Sequence, residues 1–205
     1  MPSELQTVYS PQDAPNDREL VRRCQTGDSD AFNDLVTRYR NRVFTMIYGM
    51  VRNEQEAWDL AQESFLRVWR SIHRFNGQSS FYTWLYRVVT NVTIDALRRK
   101  GVHGEVEFDD QIAPGNVDPA SRTTPSAAPL PHSKLDQKEI RQRIDEAIDK
   151  LSPGQRAVIV MKELEDLSYN EIAEILDCSI GTVMSRLFYA RKKLQTLLRD
   201  VYANL

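Results

Sequence analysis

Apolar positions along this chain recur at helical spacing, and nowhere do they alternate for long in the two-residue rhythm of a strand. From Ser29 onward, Phe32, Leu35, Val36, Tyr39, Val43, Phe44, Ile47 and Met50 make one stripe. Ala57, Leu60, Ala61, Phe65, Val68, Trp69 and Ile72 make the next. A short helix from Asp17 to Gln25 precedes both and stops at Gly27. Asn53 is suited to cap the helix that carries the second stripe. Phe75-Asn-Gly-Gln-Ser-Ser80 reads as a turn, and Ser79 or Ser80 can cap a further helix from Phe81 to Arg99. Four helices are thus expected within residues 17–100.

The pattern breaks at Gly101. Residues 101–134 hold five of the nine prolines among small, polar and acidic residues. Such a stretch cannot bury enough apolar surface to offset chain entropy, so it reads as a flexible, Pro-rich, acidic linker. Residues 1–16, polar with three prolines, read as a disordered tail. Helical spacing returns with Ile140, Ile144, Ile148 and Leu151. Ser152-Pro153 then offers an N-cap followed by proline where its missing N–H costs nothing, and Ser168-Tyr-Asn-Glu171 has the form of a capping box. The expected fold is all-α: two small helical domains, 17–100 and 135–205, joined by the linker.

Composition changes this picture little. Hydrophobic residues are 41% and charged residues 27%, ordinary for a globular protein. No run approaches the roughly 18 apolar residues of a membrane span, and the N-terminus lacks the order of a signal peptide, so a cytoplasmic protein is expected. Cys24 and Cys178 have no second Cys or His at metal-ligand spacing and read as free thiols; neither metal nor cofactor is expected.

Charge changes it more. The formal net charge of −2 conceals segregation: seven basic residues against one acid from Phe65 to Lys100, and five against none from Cys178 to Arg199. Two basic patches either side of an acidic stretch suit two contacts on one polyanion.

The sharpest local signal is a helix-turn-helix over Ser168–Leu194. Small Ala173 lets two helices cross closely, and Val183 and Leu187 fill the angle between them. Ser179 can cap the second helix, whose outward face carries Thr182, Ser185, Arg186 and Tyr189. Arg191, Lys192 and Lys193 follow, suited to phosphates. The alternative is a helical hairpin that merely packs. In the first domain, Phe81-Tyr-Thr-Trp-Leu-Tyr-Arg87 crowds four aromatics into seven residues. Phe81, Leu85 and Val88 suit a core, whereas Tyr82, Trp84 and Tyr86 point to several faces. Exposed beside Arg87 and Arg98, they would stack unpaired bases. A buried aromatic cluster is the other reading, and the residues alone leave both open.

Asp30-Ala-Phe32, Asp59-Leu-Ala-Gln-Glu63, Phe81-Tyr-Thr-Trp-Leu-Tyr-Arg87, Leu167-Ser-Tyr-Asn-Glu-Ile-Ala173 and Gly181-Thr-Val-Met-Ser-Arg-Leu187 occur in this order. Together they closely resemble the bacterial extracytoplasmic-function (ECF) sigma factors, the smallest members of the sigma-70 family. The resemblance spans about residues 17–198 apart from the linker. It implies a subunit that joins core RNA polymerase, reads the −35 promoter element as duplex and the −10 element as an opened strand, and then leaves. It assigns Asp59, Gln62, Glu63 and Leu66 to polymerase; their spacing puts them on one helix face, which would otherwise read as an ordinary solvated acidic surface. It assigns the loop Phe75, Asn76, Gly77, Gln78 and Ser79 to an extruded −10 base, with Tyr82, Trp84, Arg87, Asn91 and Arg98 on the −10 helix. Ser179, Thr182, Ser185, Arg186, Tyr189, Arg191, Lys192 and Lys193 fall to the −35 element. Met184 and Tyr189 depart from the basic residues that relatives carry there, and the linker is longer than usual. A monomer when free, held by an anti-sigma factor, is the further expectation.

Two other classes fit the sequence less well. A duplex-binding regulator would share the helix-turn-helix and linker but has no need of a basic-aromatic helix in its first domain. An enzyme is disfavoured because His73, His103 and His132 are scattered, and the Asp59–Glu63 pair lacks a supporting group.

Overall fold

The computed structural model describes residues 16–101 and 137–202. The expected tail, apart from Asn16, and the expected linker, apart from Gly101, lie outside the described residues. The described part is helical with no strand: α1 (Asp17–Gln25), α2 (Ser29–Val51), α3 (Glu54–Ser71), a 3-10 turn (Ile72–Arg74), α4 (Phe81–Arg99), α5 (Gln137–Asp149), α6 (Pro153–Glu163), α7 (Tyr169–Leu176), α8 (Ile180–Leu197) and α9 (Arg199–Tyr202).

The caps set these boundaries. Asp28 accepts from Asp30 N and Ala31 N, Asn53 from Glu56 N and Ser80 from Thr83 N, each satisfying donors that a helix start leaves orphaned. Ser152 with Gln155, and Ser168 with Glu171, form complete capping boxes. Among the described residues three turns use backbone that most side chains avoid: Arg52, after α2, has φ 55°, Asp166, between α6 and α7, has φ 49°, and Asp177, after α7, has φ 51°.

The stripes face inward as the spacing requires. Ala31, Leu35, Val43, Met46, Ile47 and Met50 of α2 meet Ala57, Leu60 and Val68 of α3 and Leu85, Val89 and Val92 of α4. Each Val, Leu, Ile or Met among them contributes about 1.5–3 kcal/mol on burial. In the second half, α7 and α8 cross over Ile172, Ile175, Val183 and Leu187, while α5 packs Ile140, Ile144 and Ala147 on Leu198 and Val201 in a smaller cluster.

Sequence spacing does not reveal that the two halves pack on each other. Val158, Ile159, Met161, Leu167 and Ile172 belong to the same buried cluster as α2 and α4. The α6 helix crosses α2 at Gly49, where an added Cβ would lie 2.9 Å from Leu164 Cδ1 and 3.1 Å from both Val160 methyls. Beside this crossing Arg156, only 2% exposed, donates to Met50 O at 3.0 Å, Leu151 O at 3.2 Å and Asp149 O at 2.7 Å. One guanidinium so serves the carbonyl ends of both α2 and α5, where the helix dipoles favour a cation.

Candidate nucleic-acid and polymerase interfaces

The turn before α4 is held from two sides. Phe75 is half-buried, its ring 6.1 Å from Phe81 and 5.3 Å from Trp84. Gln25 of α1 donates to Ile72 O at 3.0 Å and to Phe75 O at 2.8 Å. Asn76 Oδ1 accepts from Gln78 N at 3.2 Å, and Gly77 takes φ 72°, so the chain reverses tightly. Asn76, Gly77 and Gln78 are exposed and Ser79 is half-buried. A cleft of about 580 Å³ opens between this turn and α1, a participant the sequence reading missed.

Along α4 the aromatics divide. Trp84 is half-buried in the Phe75–Phe81 cluster, but Tyr82 is 4% exposed and Tyr86 fully buried, so of the two readings left open these two side chains follow the buried one. The reason is that α4 is covered on two sides, by α2 and α3 on one and by α6 and α7 on the other. The Tyr82 and Tyr86 rings lie 4.1 Å apart, tilted by 32°, and the Arg42 guanidinium lies 5.2 Å over the Tyr82 ring. The Tyr86 hydroxyl donates to Glu165 at 3.1 Å, and Arg42 meets the same carboxylate at 3.4 Å. Burial raises Glu165 above the usual carboxylate range, while Arg42 and Tyr86 oppose that rise. Arg87 donates to Glu174 O at 2.8 Å, and its buried Nε has no partner among the described residues. Asn91 and Arg98 remain exposed.

On α3, Asp59 and Gln62 are exposed and Leu66 is 56% exposed. Glu63 is half-buried and accepts from Arg67 at 2.6 Å. Trp58, which the sequence reading passed over, is 40% exposed and stacks on Phe44 at 4.2 Å. The spacing of Trp58, Gln62 and Leu66, at i, i+4 and i+8, was the available signal. These side chains form an acidic-polar face with two apolar edges.

The helix-turn-helix has the expected geometry. Ala173, Val183 and Leu187 are buried where α7 and α8 cross, and Ser179 accepts from Thr182 N at 3.0 Å. Ser185, Tyr189 and Lys192 are exposed, while Thr182 and Lys193 are half-buried. Arg191 pairs with Glu163 at 2.7 Å, and Arg186 lies against Gly154 at the start of α6. Ile180, Met184 and Phe188, at i, i+4 and i+8, add an exposed apolar line beside this polar face.

Cys24 is buried and Cys178 half-buried, both as thiols. Among the described residues no group of His, Cys, Asp and Glu is arranged to hold a metal, and no helix is long and apolar enough to cross a membrane.

Residues 35–102 match the family Sigma-70 region 2, and residues 141–194 match Sigma-70, region 4. The chain is 37% identical over 185 residues to the ECF RNA polymerase sigma-E factor of Haemophilus influenzae, covering 90% of this chain and 96% of that one. It is 35% identical over 195 residues to the ECF RNA polymerase sigma factor SigW of Bacillus subtilis, covering 90% and 97%. Its fold is similar to that of CnrH, solved in complex with the cytosolic domain of CnrY. The TM-score is 0.63 at 24% identity, covering 90% of this chain and 97% of that one. It is also similar to sigma factor RpoE of Bartonella quintana, solved in complex with the anti-sigma factor NepR. Here the TM-score is 0.56 at 26% identity, covering 82% and 96%. The chain belongs to the sigma-70 family, and within it to the extracytoplasmic-function RNA polymerase sigma factors.

Proposed function

We propose that this chain directs core RNA polymerase to promoters in the bacterial cytoplasm and leaves the bond-making to the polymerase. Region 4 reads the −35 element as duplex: Ser185, Arg186 and Tyr189 face base edges, and Lys192 and Lys193 face phosphates. Region 2 holds the opened −10 strand: the 75–79 turn takes an extruded base, while Asn91 and Arg98 follow the strand along α4. The α3 face of Asp59, Gln62, Glu63 and Leu66 docks on the polymerase. Its apolar edge at Leu66 supplies desolvated contact and its acids meet a basic partner surface.

The observation that carries this reading is the pairing of two unlike surfaces in one chain. A capped helix-turn-helix with an open polar face suits duplex. A tight, exposed polar turn flanked by Phe75 and Trp84 suits a single unstacked base. Because α6 and α7 cover part of α4, the free chain is in a closed arrangement, and region 4 must move off region 2 before Arg87 can reach DNA. An anti-sigma factor, such as the one RpoE of Bartonella quintana is solved with, is the expected protein partner.

Copurification and run-off transcription with core polymerase test this. The double substitution Asp59→Arg with Glu63→Arg is expected to leave folding intact, since Asp59 is exposed and the half-buried Glu63 gives up only a surface pair with Arg67, worth about 0.3–0.5 kcal/mol. It should abolish both copurification and transcription. A double variant that still copurifies removes α3 as the docking face.

A further inference from the structure

The cleft between α1 and the 75–80 turn has two chemically different walls, and only one of them entered the sequence reading. The turn supplies the Asn76 and Gln78 side chains and the half-buried Phe75 ring, enough to grip a base by its edge and one face. The α1 wall supplies Arg18 and Arg22. Arg22 is exposed and paired with Glu19 at 2.6 Å. Arg18 is exposed and has no ion pair among the described residues. Among the described residues, the one carboxylate lining the cleft, Asp17, is 5% exposed and already accepts from the Tyr39 hydroxyl and from Arg38. It therefore offers an incoming anion little repulsion. The Gln25 amide, donating to both Ile72 O and Phe75 O, ties the two walls together. At about 580 Å³ the cleft falls within the range of about 300–1,000 Å³ typical of small-ligand sites, though it is open on one side.

We propose that this cleft is a complete nucleotide site, in which the turn holds the extruded base and Arg18 of α1 holds its phosphate. The proposal rests on the −10 reading above and extends it to a helix with no assigned part in DNA binding. The division of labour follows from chemistry. A guanidinium matches phosphate oxygens and carries no base information, whereas amide side chains match base edges. Arg22 is the lesser contributor, because Glu19 already claims its charge. Among the described residues no acid pairs with Arg18, so a phosphate there gains an ion pair without breaking one of theirs.

The test uses holoenzyme, assembled from the full chain and core polymerase, on a fluorescent fork-junction DNA whose −10 non-template strand is single-stranded. Affinity is measured against salt, and with each base in turn at the extruded position. Arg18→Ala is expected to weaken binding about fivefold and equally for all four bases, which is about 1 kcal/mol at 1.4 kcal/mol per tenfold. The slope of log K against log salt should flatten by about 0.7, the value for one phosphate of a single strand. The effect should vanish on a blunt duplex that ends upstream of the −10 element. Asn76→Ala with Gln78→Ala should instead erase base preference and leave the salt slope alone. If Arg18→Ala changes nothing while the turn variant loses preference, α1 is no part of the site and the turn still reads the base. An equal loss for Arg18→Ala on the blunt duplex makes Arg18 a diffuse attractant and likewise overturns the proposal. If the turn variant keeps its base preference, the −10 reading beneath the proposal fails as well.

Discussion

Glu165 shows how much one side chain can depend on its surroundings. In sequence it is an unremarked acid in a polar turn after α6. In the structure its side chain is 5% exposed, lodged between Arg42 of α2 and Tyr86 of α4. Burial there favours the neutral acid more than Arg42 and the Tyr86 hydroxyl favour the anion, so its pKa is raised. Opening the two halves would return Glu165 to water and to the ordinary carboxylate range. The closed form therefore holds its proton more tightly than the open form. This contribution to closure is full below the ordinary carboxylate pKa of about 4.3 and is lost as pH rises through the raised value. Small-angle scattering across that interval should show the radius of gyration of the free chain growing with pH. Glu165→Gln, which cannot titrate, should flatten the trend. An equally steep trend in the Gln variant would assign the dependence to other groups.

At the scale of helices, most of the fold was legible because caps and stripes are local. Asn53, Ser80, Ser152, Ser168 and Ser179 were all readable as caps, and each accepts the expected backbone N–H. The α4 helix spans Phe81–Arg99 as the caps imply, but spacing alone leaves the burial of its aromatics open. An amphipathic rule assumes one covered face, and α4 has two, so Tyr82 and Tyr86 are inside although they lie off the main stripe. The cleft wall on α1 was illegible for a different reason. Arg18 and Arg22 look like any solvated charges until the chain, some fifty residues later, returns to face them. The caps carry their own prediction. In the capping box of α7, Ser168 Oγ accepts from Glu171 N at 3.3 Å, and Glu171 accepts from Ser168 N at 2.8 Å. Ser168→Ala should cost about 1 kcal/mol, read in urea as a lower midpoint at unchanged slope. The loss should be concentrated in the helix-turn-helix, so amides of α7 should exchange faster than those of α2. Uniform acceleration across both halves would mean that α7 has no local unfolding of its own.

At the scale of the whole molecule, two readings of the same surface compete. The α4 face that carries Arg87 is where an opened strand would run, and it is also where region 4 rests, with Arg87 bonded to Glu174 O at 2.8 Å. A free chain in this arrangement should bind promoter DNA weakly, not only because its two contacts lie far apart in sequence but because one of them is partly covered. The crossing of α6 over α2 at Gly49 gives a way to test this without touching any proposed DNA contact. A Cβ there meets the exposed tip of Leu164 at 2.9 Å and both methyls of the buried Val160 at 3.1 Å; Leu164 can swing aside but Val160 has little room, so a leucine is expected to push α6 outward. Overpacking of this kind costs about 1–3 kcal/mol, and α2 itself should tolerate the change, since leucine is a better helix former than glycine. Gly49→Leu should therefore keep the helical circular dichroism of the parent while enlarging the radius of gyration. Its binding to a single-stranded −10 oligonucleotide, measured without polymerase, should tighten. If the proposed function holds and polymerase draws region 4 away, the same substitution should change the promoter affinity of assembled holoenzyme little. If Gly49→Leu expands the chain but leaves oligonucleotide binding as it was, region 4 is not what keeps the free protein from the opened strand.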